Sequence, residues 1–376
     1  MEKSNNKSFI LIGGGLIVFL LLILLIVWII SLRKGNFTTY ERVIEKMEKA
    51  TVEYYKKNEK PVEEGEHYLS YNTLVDAGYI KPLNKLLKNG DECNAHVIVI
   101  NNSLNYSYTP YLNCPGNNGY ETIELYKRLT ESINVVTSGS GLYKATDGSY
   151  YYRGEVTNNY IKLGTVKKDN KNIDNIWQIL SIDSDGAIKI RNTRSTNDTY
   201  LWDDRYNSIT GFNNGYNDFE LSRLKDTLKF LGNRDSVMSS EYRSKLTPKK
   251  LCIGKRNDED SIKDGSIECS VMSNDKYSVG LIATYEYMRI SLDNNCNKTV
   301  SPSCSNYNFL NNSTKNNEWL LTAFRDNSFK SYAITNNSLS LSNADNEKYL
   351  YLTAYLTNKS FYLKGTGTLN DPYEIR

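Results

Sequence analysis

The sequence predicts an α+β chain in three parts: an N-terminal transmembrane helix, a small α+β stalk domain and a larger mixed α+β domain. Three observations carry that expectation. An uncharged apolar run, "FILIGGGLIVFLLLILLIVWIISL", occupies residues 9–32. A segment of helical period, "TTYERVIEKMEKATVEYYKKN", follows over residues 38–58. Beyond Tyr150, short apolar runs alternate with turn signals, and only two stretches carry helical spacing.

The apolar run comes first. A helix over residues 9–32 rises about 36 Å, enough to cross a hydrocarbon core about 30 Å thick. It is too long for the core of a cleaved signal, and no small-x-small site follows it. The expectation is therefore a signal anchor held by membrane lipid, with residues 1–8 as a short cytoplasmic tail. Lys3 and Lys7 on one side balance Arg33 and Lys34 on the other, so local charge chooses no direction. The six cysteines choose it. Cys93, Cys114, Cys252, Cys269, Cys296 and Cys304 form no CxxC motif and lie near one another in sequence. Such a set fits structural disulfides in an oxidising compartment. The nearest-neighbour reading pairs 93 with 114, 252 with 269 and 296 with 304, among the several connectivities six cysteines allow. The expected localisation is the plasma membrane, single-pass, with the C-terminal domains extracytoplasmic.

Residues 33–115 read as stalk helix and small domain. Val43, Met47, Ala50 and Tyr54 share one helix face, Thr38 or Thr39 caps it, and Pro61 closes it. Ser70 caps a second, short helix that Gly78 ends. "HVIVINN" is a strand, and "LNYSYTPYLNC" is a second one up to Pro110. Residues 116–149 read as a linker, with a helix over 120–133. Residues 150–376 read as one domain. "WQILSI" and "AIKIRN" flank an Asp185-Gly186 turn and predict a hairpin. "DFELSRLKDTLKFLG" (218–232) predicts a helix capped by Asp218 and stopped by Gly232. "VGLIATYEYMRISLD" predicts a strand entering a helix capped by Thr284. "WLLTAF", "SYAIT", "YLYLTAYL" and "FYLKG" predict strands. In the closing "GTGTLNDPYEIR", Asp371-Pro372 favours extended geometry and predicts a final strand, "YEI".

Composition narrows the function. Lys+Arg total 46 and Asp+Glu 43, a formal charge of +3 that argues against nucleic acid as a partner. His67 and His96 are the only histidines. The long C-terminal region thus has no imidazole for a Ser-His-Asp triad or a zinc site. No catalysis, cofactor or metal is expected.

The architecture of residues 9–115, together with "LVDAGYI", resembles the type IV pilin and pseudopilin plan of Gram-positive surface proteins. It departs from that plan at "KSFILIGGG", which has neither a Gly-Phe-type cleavage site nor a following Glu. Residues 150–376 carry, in order, "YYRGEVTNNYI", "WQILSIDSDGAIKI", "LTPKKLCIG", "GLIATYEYMRISLD", "WLLTAF", "YLTAYL" and "GTGTLNDPYEI". That succession resembles the formylglycine-generating-enzyme/C-type-lectin-like fold. The resemblance implies a compact C-type-lectin-like domain whose first and last strands meet, with a structural role for Glu286. No Glu-Pro-Asn or Gln-Pro-Asp triplet is present to carry over a calcium-dependent sugar site. "DSDG" and "NADNEK" read as solvated turns rather than oxygen ligands.

The candidate ligand-binding residues are Arg325 and Asp326, in a loop that faces the ligand side in such folds. Trp202, Asp203 and Tyr206 join them, because "WDDRYN" groups the residue types of a sugar face. The expected function is a membrane-anchored surface protein whose lectin-like head binds an extracellular glycan or protein. The alternatives are a pseudopilin-like or envelope-assembly subunit associating through the stalk helix, and an enzyme acting on cell-wall glycan.

Overall fold

The computed structural model describes residues 37–101, 106–116, 119–168, 170–205, 216–312 and 317–376. The chain divides into two compact units between Glu121 and Thr122.

In the first unit, helix α1 (Tyr40–Lys57) forms where the periodicity predicts it. Thr39 caps it, accepting from the Arg42 N–H at 3.4 Å. Its apolar face buries Val43, Met47 and Ala50 against an antiparallel sheet. That sheet runs β1 (Gly65–Ser70), β2 (Asn94–Asn101), β3 (Tyr106–Cys114), β4 (Tyr120–Glu121) in order. Val97, Val99 and Leu112 meet the helix from the sheet side. Two details depart from expectation. Residues 65–70 are a strand that leads straight into helix α2 (Tyr71–Asp76), whose expected cap Ser70 accepts from the Thr73 N–H at 3.1 Å. Strand β3 also continues through Pro110 to Cys114. Pro110 pairs with Val97, while β4 reaches only Asn113 and Cys114, so the missing N–H falls on an open edge.

The second unit begins at Thr122, and part of the expected linker belongs to it. Leu125 and Leu129 of the helix Leu125–Thr130, and Leu142 of β5 (Gly141–Lys144), enter its core. The strands β6 (Tyr150–Arg153), β7 (Tyr160–Lys168), β8 (Lys171–Ile182) and β9 (Ile188–Asn192) follow, with the turn at Asp185-Gly186 as predicted. Three strands close the principal sheet: Thr353–Leu356 beside β9, then Tyr362–Lys364 and Tyr373–Ile375. Tyr373–Ile375 lies parallel to β7, Tyr373 opposite Ile161, so the last strand clasps an early one. Smaller sheets pack around this one. Lys249–Cys252 pairs with Met272–Tyr277, and Asn317–Ala323, Lys330–Thr335 and Ser338–Asn343 form a three-stranded meander.

Strand β9 is buried on both faces. Ile188 and Ile190 fill one side, while Lys189 and Arg191 on the other pair with Glu286 and Glu318. The helix at 218–232 is split: Asp218 caps a short 3-10 turn, and Ser222 caps Arg223–Leu231. Ala283, not Thr284, is the cap residue of the helix Thr284–Ile290, and Glu286 there accepts from the Ala283 N–H at 2.8 Å.

The fold class expected from the sequence is corrected. Among the described residues strand accounts for 36% and helix for 23%, so the described structure is mostly β and sheet-rich rather than α+β. The membrane expectation is corrected with it. Among the described residues no helix is long and apolar enough to cross a membrane. The longest, α1, has an apolar stripe beside a face of Glu and Lys and packs on a sheet. The run 9–32 lies outside the described residues, and the single-pass plasma-membrane localisation is not supported. The cysteines are bonded 93–114, 252–269 and 296–304.

Two outcomes follow. Gly365 holds a φ of +98°, and a β-carbon there would stand 2.1 Å from the Pro372 carbonyl oxygen. Gly365→Ala should lower thermal stability by about 2 kcal/mol, read from denaturant melts. In the first unit, His96 stacks between Tyr68 and Tyr111 at 4.7 and 4.8 Å, and burial lowers its pKa. The unfolded chain then takes up the proton more readily, so stability present above the ordinary value of about 6.5 is lost as pH falls below it. Protection factors of the β2 amides, taken relative to the intrinsic exchange rate at each pH, should fall on acidification, and His96→Gln should flatten that dependence.

Candidate functional site

The loop between the strands Asn317–Ala323 and Lys330–Thr335 is held from beneath by one asparagine. Asn217 is 1% exposed, and its Nδ2 reaches the carbonyls of Phe324, Asn327 and Lys330 at 2.7, 3.0 and 2.8 Å. The N–H groups of Tyr216 and Asn217 both donate to the Ser328 carbonyl, at 2.9 and 3.0 Å. A loop that loses its backbone freedom this way presents its outward side chains at fixed positions.

Arg256 anchors the neighbouring loop. It is fully buried, and its Nε donates to Thr299 Oγ1 at 2.7 Å. Nη1 reaches both carboxylate oxygens of Glu268 at 3.3 and 3.1 Å, and Nη2 donates to the carbonyls of Asp260 and Ile262. The Arg256 carbonyl accepts from the Arg325 N–H at 3.0 Å, which joins the two loops. Burial pushes the Glu268 carboxyl above the ordinary range, and the Arg256 guanidinium opposes it. Lys255 donates to Asn217 Oδ1 at 2.7 Å, and its burial lowers the amine pKa.

On this support stand Arg325 and Asp326, both exposed as the sequence reading requires of contact residues. Arg325 Nη2 donates to the Lys255 carbonyl at 3.0 Å, which aims the guanidinium while leaving half of the side chain in solvent. Phe329, 41% exposed, lies on the same loop with the edge of Tyr216 against it at 5.2 Å. A cation, a carboxylate and an aromatic ring thus share one ordered loop. Sequence reasoning placed Phe329 beside Arg325 and Asp326 without making it a contact residue, and missed Asn217 and Arg256 as parts of this arrangement. Asn217 sits in an Asn- and Gly-rich stretch with no distinguishing pattern.

The other candidates do not join them. Trp202 is fully buried, and its Nε1 donates to the Leu320 carbonyl at 3.1 Å. Asp203 is 1% exposed and accepts from the N–H groups of Arg205 and Arg223 at 3.2 and 3.0 Å, fastening the start of the helix Arg223–Leu231. Both face inward because an aromatic and a cap are needed there, so they offer a ligand no surface. Tyr206 lies outside the described residues. In "DSDG", Asp183 and Asp185 both point at Lys249, at 3.4 and 2.8 Å. Cys296 and Cys304 form a closed bridge. Among the described residues no cluster of three or more His, Cys, Asp or Glu is placed to hold a metal ion.

No family model, no curated relative and no solved structure matches the chain.

The buried pair makes a direct prediction. Arg256→Met leaves Glu268 unpaired in the interior and should cost about 3–5 kcal/mol in denaturant unfolding. The double variant Arg256→Met, Glu268→Leu should recover part of that loss.

Proposed function

We propose that the second unit is a recognition module that binds a glycan through the loop 324–330, without catalysing its conversion. The observation that carries this reading is the loop itself: its backbone is tied to the buried Asn217 while Arg325, Asp326 and Phe329 remain exposed. Sugars present hydroxyls beside patches of C–H. Arg325 supplies donors, Asp326 supplies acceptors, and the Phe329 ring supplies an apolar face. Because the loop is already ordered, little conformational entropy is lost on binding.

The test is binding of the full chain to a glycan array. Wild type should bind a restricted set of glycans, and Arg325→Ala, Asp326→Ala and Phe329→Ala should each weaken that binding about tenfold or more. Melting temperatures should hardly change, because exposed substitutions of this kind usually move stability by about 0.5 kcal/mol or less. Binding unaffected by all three substitutions would sink the proposal.

A further inference from the structure

The first unit carries a groove of different chemistry. Its geometry begins at Gly78, whose φ of +78° ends helix α2 in a left-handed turn. The N–H groups of Gly78 and Tyr79 return to the carbonyls of Val75 and Leu74, both at 2.9 Å. That turn sends Tyr79 and Ile80 across toward helix α1, and the chain continues through Lys81 and Pro82 into the short helix Leu83–Leu86. A groove of about 440 Å³ lies between this segment and α1.

Its floor is apolar, made of Ala50, Ile80 and Leu86. Its rim is cationic. Lys46 and Lys49, one turn apart on α1, stand on one side, and Lys81 and Lys85 stand on the other. All four are exposed, and among the described residues none is paired with a carboxylate. The single acidic lining residue, Glu53, is already engaged by Lys56 at 2.6 Å. The chain as a whole is nearly neutral, so four unpaired lysines around one cavity are a local concentration of charge.

We propose that this groove docks an acidic segment of a protein partner, with one apolar side chain on the floor and flanking carboxylates on the lysine rim. The mixed chemistry selects a peptide over a plain polyanion, because a polyanion has nothing to place on Ala50, Ile80 and Leu86. Opposite charge at the rim steers the encounter and sets its salt dependence, while the floor supplies the apolar burial that holds it.

The experiment titrates the full chain into a labelled peptide of sequence Glu-Glu-Leu-Glu-Glu and follows fluorescence anisotropy. Binding is expected, weakening as salt rises. Lys46→Glu with Lys85→Glu should weaken it about tenfold or more. Replacing the central Leu of the peptide by Ser should weaken it as well. The variant's folding is checked by its melting curve, which substitution at two solvent-exposed lysines should leave in place. No binding at millimolar peptide overturns the proposal, as does equal binding to the double variant. A sulfated polysaccharide that competes as well as the peptide, with the Leu-to-Ser peptide binding unchanged, overturns it in favour of a simple polyanion site.

Discussion

Among the described residues four cations are buried in the second unit; Lys348 ends on Asn317 Oδ1 and Thr335 Oγ1, and the other three end on carboxylates. Lys189 reaches Glu286, Arg191 reaches Glu318 and Arg256 reaches Glu268. A buried charge without a partner costs several kcal/mol, so these three closures constrain how the pieces of the unit assemble. The first two tie β9 to the helix Thr284–Ile290 and to the strand Asn317–Ala323. The third fastens the loop after Cys252 to the segment before Met272, inside the ring closed by Cys252–Cys269. Covalent bond and ion pair act on the same loop, which explains how so irregular a stretch keeps one conformation.

The candidate binding loop depends on that assembly. Arg256 fixes the backbone next to Arg325, and Asn217 fixes the carbonyls of Phe324, Asn327 and Lys330. Both supports are buried and polar: Asn217 Nδ2 donates to the loop carbonyls, and Arg256 divides its donors between the Glu268 and Thr299 side chains and the carbonyls of Asp260 and Ile262. Of the exposed side chains, Arg325 is held by the Lys255 carbonyl and faces Asp260, and Phe329 packs against Tyr216. The groove in the first unit follows a different plan. There the fold makes only a short floor, and the lysines project from α1 and the segment 81–86. Loop and groove differ in chemistry, the first mixed in charge with an aromatic ring, the second cationic over aliphatic carbon.

Much of the local structure was legible in the sequence. The stripe of Val43, Met47 and Ala50 marked α1, Ser70 and Gly78 marked a short helix, and Asp185-Gly186 marked the β8–β9 turn. Local signals of this kind work because capping, left-handed turns and side-chain period involve residues only a few positions apart. The errors came where neighbours in space decide. Residues 141–144 look like linker and become β5 because β6 is there to pair with. Trp202 and Asp203 look like a sugar face and are buried because Leu320 and the start of the helix Arg223–Leu231 need them.

By itself, then, the sequence determined the short-range elements, the scarcity of histidine and the spacing that lets each cysteine bond its nearest neighbour. Only the tertiary structure decided which polar residues face water. The pattern Ile188-Lys189-Ile190-Arg191 reads as a half-exposed strand, apolar inside and charged outside. The fold covers both faces and answers each charge from 97 and 127 positions away. Periodicity registers that a side chain is polar and on which face of its strand it lies. Whether that face meets solvent or a carboxylate depends on chain segments that the pattern does not contain.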